Sequence, residues 1–115
     1  RYVNDIQTGG TGTTYRTPMT ESNYNSMYRS VQLTFGFGAK MSALTDIFNT
    51  ETNYFTVAQI KELVKLVSNE SNRLELAKLA YNNAVDPTNY NNLYDIFTSQ
   101  TSKDELTAYI STYNR

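Results

Sequence analysis

The sequence predicts an all-α domain of about six helices, arranged as three repeated helical hairpins behind an extended N-terminal arm. Three observations predict it. Helix breakers are nearly absent from the body: between Ala39 and Asp86 there is neither Gly nor Pro, and none follows Pro87. Helix-start signals recur along the chain. The apolar and capping positions also repeat at a fixed offset of 30 residues. Whether the hairpins form a compact bundle or a short α-solenoid is open at this level.

Residues 1–18 read as a flexible arm or linker, and residues 19–115 as the hairpin-repeat domain. Gly9, Gly10 and Gly12 lie among threonines, and Pro18 closes the stretch. That composition is too poor in apolar residues to fold alone. The first hairpin is expected at about 20–32 with 38–49. Thr20 can cap its first helix, Met19 and Tyr24 form a staple, and Met27 and Val31 continue the stripe. Met41, Leu44, Ile47 and Phe48 mark its second helix, and Phe35 and Phe37 are expected to plug the junction. Gly36-Phe37-Gly38-Ala39-Lys40 superficially suggests a phosphate loop. It lacks the spaced first Gly and the Ser/Thr after Lys, so a turn is the better reading.

The second hairpin is expected at about 56–68 with 72–84. Thr56-Val57-Ala58-Gln59 is a capping box, flanked by the staple Phe55/Ile60. Ile60, Leu63, Val64 and Val67 fall on one helical face. Its second helix is expected to start at Asn72, with Glu75 at the third position and Leu76, Leu79, Ala80 and Ala84 inward. The third hairpin is expected at about 86–98 with 102–113. Asp86 would be the N-cap, with Pro87 in the first turn. Tyr90, Leu93, Tyr94 and Phe97 would make its stripe. Ser102-Lys103-Asp104-Glu105 resembles a further capping box, followed by Leu106, Tyr109, Ile110 and Tyr113 at helical spacing.

The offset of 30 pairs Leu63 with Leu93, Val67 with Phe97, Glu75 with Glu105 and Leu76 with Leu106. No single hairpin buries its apolar stripe, so stacking must supply the core. The segments Tyr54–Ile60, Arg73-Leu74-Glu75-Leu76-Ala77-Lys78-Leu79-Ala80-Tyr81 and Val85-Asp86-Pro87-Thr88-Asn89-Tyr90 together resemble the bacterial domain-of-unknown-function family DUF4476. The resemblance runs from about Met19 to Ile110. The first and last hairpins keep less of the pattern, as Lys40-Met41 and Lys103-Asp104-Glu105-Leu106. It implies an exported or envelope protein of Bacteroidetes-type bacteria, an extracytoplasmic location (periplasm or cell envelope), and a domain carried behind a variable segment. It leaves the activity open.

Composition excludes more than it assigns. The chain has 115 residues, with 10 Lys+Arg against 11 Asp+Glu and no His, Cys or Trp. A disulfide, a thiolate nucleophile, a Cys/His zinc site and a Ser-His-Asp triad are therefore ruled out within this chain. The near-neutral charge, with no Lys/Arg run, argues against nucleic acid and against a polybasic membrane anchor. No apolar run is long enough for a transmembrane helix. No cofactor motif is present. Thr, Asn, Ser and Gln make up more than a third of the residues, and there are ten tyrosines.

Each candidate constellation has a structural explanation beside it. Arg73, Glu75 and Lys78, recurring in part as Lys103 and Glu105, suggest a charged ligand site; because the set repeats with the fold, capping and ion pairing explain it better. Asp86, Asn89, Asn91 and Asn92 form an oxygen-rich turn without calcium-loop spacing. Tyr90, Tyr94, Tyr109 and Tyr113, with nearby Asn, suit a sugar- or peptide-binding surface, but their stripe positions place them at the core margin. Tyr28 and Tyr81 are less tied to a stripe. Tyr28, Tyr81, Arg73 and Lys78 are therefore the candidate surface-binding residues. The carboxylates Glu62, Glu70, Glu75, Asp95, Asp104 and Glu105 are spread along helices without a paired-acid signature. The expected function is a non-catalytic binding or scaffolding module engaging a protein, a peptide or an envelope polymer. The alternative is a carboxylate-dependent hydrolase of glycan or peptidoglycan.

Overall fold

The computed structural model describes residues 17–113. The arm before residue 17 lies outside the described residues. Five α-helices appear: α1 Glu21–Leu33, α2 Phe37–Asn49, α3 Val57–Val64, α4 Glu70–Ala80 and α5 Gln100–Thr112. A ten-residue 3₁₀ segment, Pro87–Ile96, takes the place of the first helix of the third hairpin. Among the described residues there is no strand, only an isolated parallel bridge between Phe55 and Ala84.

Two N-termini form as local chemistry dictates. Thr20 Oγ1 accepts from the Asn23 amide at 3.2 Å and starts α1. At α3 the capping box is complete: Gln59 N–H donates to Thr56 Oγ1 at 3.2 Å, and Thr56 N–H donates to Gln59 Oε1 at 2.9 Å. The turn between α1 and α2 uses Gly36 at φ +97°, a conformation strained for any residue with a Cβ. Phe35 does not plug that junction. It is 95 % exposed, with Leu33 also outward, because the turn projects beyond the packed helices.

Three other starts differ from expectation. Helix α4 begins three residues early: Asn69 Oδ1 takes the Asn72 amide at 3.2 Å, so Asn69 is the cap and Asn72 lies inside. Helix α5 begins at Gln100, and Ser99 caps it without a side-chain bond. The Glu70 carboxylate does that work from α4, accepting from Thr98 N–H at 2.8 Å, Ser99 N–H at 2.9 Å and the Thr98 hydroxyl at 2.7 Å. Asp86 does not cap its own segment either. Its Oδ1 accepts from Val57 N–H, the first amide of α3, at 2.8 Å, and its Oδ2 accepts from Asn89 Nδ2 at 2.9 Å. A carboxylate serves whichever orphan amides it reaches, and here the nearer ones belong to a neighbouring hairpin.

The 3₁₀ geometry re-sorts the third hairpin. At about three residues per turn, positions three apart share a face. Tyr90, Leu93 and Ile96 are accordingly buried, while Tyr94 turns to the margin. The expected α-type stripe of Tyr90, Leu93, Tyr94 and Phe97 is replaced by this period-three face, although Phe97, just beyond the segment, is also buried. Pro87 and three asparagines among Asn89, Asn91 and Asn92 disfavour an α-helix here, since Asn competes for backbone partners.

The hairpins pack in chain order. Helix α4 contacts α2, α3 and α5, and α3 contacts the 3₁₀ segment. The second arms α2, α4 and α5 thus lie in a row, with α3 beside the 3₁₀ segment, and the whole is a compact globule. The entrances of the second and third hairpins run side by side: Phe55 N–H donates to the Asn83 carbonyl and Val85 N–H to the Phe55 carbonyl, both at 2.9 Å. Helix α4 is central. Leu74, Leu76, Ala77 and Ala80 are buried around its circumference rather than along one stripe. Equivalent positions Leu63 and Leu93 are both 0 % exposed, as is Leu106, with Leu76 at 1 %. Phe55 joins the first two hairpins through edge contacts with Tyr24 and Phe48, at centroid distances of 6.2 and 5.9 Å. No helix among the described residues is long and apolar enough to cross a membrane.

Candidate functional site

The four residues singled out from sequence do not converge. Tyr81 is a correction: it is only 9 % exposed, and its ring meets Tyr90 and Tyr113 edge-on at 4.9 and 5.3 Å. It follows the end of α4 in a short 3₁₀ turn, Tyr81–Asn83, which rolls the ring inward. Tyr28 is half-buried on α1, packed 6.1 Å from Tyr24. Burial, aided by the Glu62 charge and by Tyr28, pushes the Tyr24 phenol far above its usual range. The Tyr24 hydroxyl donates to the Gln59 carbonyl at 3.0 Å, tying α1 to α3.

Arg73 is a structural clamp. Its Nε donates to the Val67 carbonyl at 2.6 Å, Nη1 to the Ile96 carbonyl at 3.1 Å and Nη2 to the Lys65 carbonyl at 3.4 Å. These oxygens lie at or after the ends of α3 and the 3₁₀ segment, where carbonyls lack intrahelical partners. Lys78 pairs with Glu105 at 3.3 Å across α4 and α5. Both line a polar groove of about 520 Å³ with Ser71, Asn72, Glu75, Ser99, Thr101 and Ser102.

A different pair of grooves flanks the 3₁₀ segment. One, of about 340 Å³, is lined by Tyr81, Pro87, Thr88, Tyr90, Asn91, Tyr94 and Ile110. The other, of about 470 Å³, is lined by Ala58, Lys61, Asn91, Asn92, Tyr94, Asp95 and Lys103. They share Asn91 and Tyr94, so the two grooves meet over that pair. The period-three geometry explains the lining. Thr88, Asn91 and Tyr94 form one face of the segment, Asn92 and Asp95 belong to the next, and the third is buried. The Tyr94 hydroxyl is hydrogen-bonded to the Thr107 hydroxyl, which holds the ring at the shared rim.

Charge in the larger groove is partly spent internally. Lys61 bridges Asp95 at 2.7 Å. That hydrogen bond, opposed by partial desolvation, leaves the Asp95 carboxyl below its usual range. The side chains of Lys103, Asn91 and Asn92 have no hydrogen bond or ion pair among the described residues. The site was visible in sequence only as fragments, since Asn91 and Asn92 read as part of an oxygen-rich turn and Lys103 as a helix-start charge. A period of three across Pro87–Ile96 is the signal that joins them.

Fold and site together define an all-α helical-hairpin repeat domain with a Tyr/Asn-lined double groove at its third hairpin. The family profile described as "Domain of unknown function (DUF4476)" matches residues 18–110, and the chain belongs to that family. A search of curated proteins and a search of solved structures both find no match.

Proposed function

We propose that this domain is a non-catalytic binding module of an exported bacterial protein, engaging a peptide, a protein or an envelope polymer outside the cytoplasm. The carrying observation is the pair of grooves meeting at Asn91 and Tyr94. They offer a fixed aromatic ring beside amides that the fold leaves unused, which suits adaptable hydrogen bonding over an apolar contact. The extracytoplasmic setting rests on the family resemblance.

The test is a titration followed by backbone amide chemical shifts, using soluble peptidoglycan fragments, neutral glucan oligomers and short peptides. Saturable shifts confined to Pro87–Ile96 and the facing turns of α5, with the added molecule recovered unchanged, support this reading. Uniform or absent shifts with every probe refute it. Hydrolysis is the second reading, favoured by one observation: Glu75 and Glu105 line the same groove between α4 and α5. Both are exposed, and Glu105 is tied to Lys78. Turnover abolished by Glu75→Gln or Glu105→Gln would favour hydrolysis over binding.

A further inference from the structure

Three polar side chains of the third hairpin that have no partner among the described residues line one groove. Asp86 bonds Asn89 and the first amide of α3, Asp95 bonds Lys61, and Thr107 bonds Tyr94. Asn91, Asn92 and Lys103 all line the larger groove, and their side chains have no hydrogen bond or ion pair among the described residues. Lys103 is unusual on physical grounds. It sits in the first turn of α5, where the helix dipole disfavours a cation. Its neighbouring carboxylates are committed elsewhere: Asp104 accepts from Gln100 Nε2 at 3.0 Å, and Glu105 faces Lys78. An ammonium held at an unfavourable helix end without a counter-ion, beside two unengaged amides and an aromatic ring, is complementary to a carboxylate on a hydroxylated ring.

We propose that this groove binds the uronate rings of an acidic oligosaccharide; the proposal rests on the binding reading above and specifies its ligand. Lys103 takes the ring carboxylate in a charge-assisted hydrogen bond. Asn91 and Asn92, each with two donors and an acceptor in one plane, pair with vicinal hydroxyls. The Tyr94 ring covers an apolar C–H face of the sugar, and the apolar neighbouring groove receives the next ring. A peptide that binds by strand addition does not fit: it takes main-chain bonds from a free strand edge, and among the described residues the only strand-like pairing is the internal bridge of Phe55 with Ala84. Lys61 remains with Asp95 and serves as a wall rather than as the anion's partner.

The experiment is calorimetric and shift-mapped titration of the whole chain with tetrasaccharides of galacturonate, mannuronate and hyaluronan. Methyl-esterified tetragalacturonate, a neutral cellotetraose and a tri-glutamate peptide serve as controls. At least one uronate tetrasaccharide is expected to shift residues 88–95 and 101–104 saturably. Its binding should weaken by about tenfold in Lys103→Met and in Asn91→Ala/Asn92→Ala. It should also weaken as salt rises from about 50 to about 300 mM. Both variants change exposed or half-exposed side chains, so an unchanged melting temperature separates loss of binding from loss of fold. Equal binding of the ester or of cellotetraose overturns the carboxylate assignment while leaving a glycan-binding groove. Binding of tri-glutamate in preference to every uronate overturns the sugar assignment while leaving the binding module. No response to any uronate overturns the proposal outright.

Discussion

The second and third hairpins descend the same pattern, 30 residues apart, and end in different states. Their entrances lie side by side, and their core leucines, Leu63 with Leu93 and Leu76 with Leu106, are all essentially buried. Yet the second hairpin is two α-helices, with α4 enclosed by three neighbours, whereas the third opens with a 3₁₀ segment and carries the grooves. The difference follows from position and composition. The second hairpin has packing partners on both sides, so α4 buries Leu74, Leu76, Ala77 and Ala80 on several of its faces. The third, among the described hairpins, has a neighbour on one side only. Its Pro and Asn residues relax the first arm to a period of three, and two of its three faces are left for other contacts. Repetition sets the core, and departure from it makes the site.

The largest expected effect tests the shared core. Leu63→Ala, Leu76→Ala and Leu93→Ala should each cost about 2–5 kcal/mol, measured by chemical denaturation, because all three are closed to solvent. A near-neutral Leu93→Ala beside a costly Leu63→Ala would show that the 3₁₀ arm opens independently of the second hairpin. Next comes the clamp. Arg73→Met should destabilise by about 1.5–3 kcal/mol, since it strips charged donors from carbonyls at both hairpins. A cost below that range would mean that water replaces the guanidinium. Smaller still, Asp86→Ala should cost about 0.5–2 kcal/mol through the lost cap on α3, with hydrogen exchange rising at Val57. Exchange rising only within Pro87–Ile96 would contradict the cross-hairpin role.

Hydrogen bonds from the Thr98 amide and hydroxyl, then from Ser102, hold the Glu70 carboxyl down at about 2 against an ordinary 4.5. A depressed folded value gives stability that is fully present above pH 4.5 and is lost as pH falls toward 2. Glu70→Gln should flatten that part of the acid-unfolding profile. Amides at the start of α5 should exchange faster, while those of α3 stay protected. An unchanged profile would show that Glu70 is not the link between the hairpins. The mildest test is spectroscopic: far-ultraviolet circular dichroism should be helix-dominated with little strand.

Several features were legible because they are local. The Thr20 and Thr56 caps and the leucine stripes depend on residues within a few positions of one another, the offset of 30 compares two such local patterns, and each appears in the structure. Others were not legible, for a common reason. Glu70 meets Thr98, Asp86 meets Val57 and Arg73 meets Ile96, partners 23 to 29 residues apart. From sequence these charges looked like caps of their own helices or like ligand contacts. Asn83 likewise carries no local signal of its role. Only 4 % exposed, it donates to the Asn53 carbonyl at 2.8 Å and so ties the end of α4 to the loop before α3. Tyr81 shows the converse: a tyrosine off the expected stripe was turned inward by a one-turn change of helix type.

The helical class, the hairpin count, the repeating core positions and the lack of thiol and imidazole groups within this chain are set by local residue choice. Those follow from breaker content, apolar period and the residue types present, none of which needs a partner. Packing sets which helix each carboxylate caps, that the third hairpin's first arm is 3₁₀, and that Asn91, Asn92, Tyr94 and Lys103 share a groove. Polar side chains bond to whatever orphan group packing brings within reach, and a change from about 3.6 to about three residues per turn redistributes every face of a ten-residue segment.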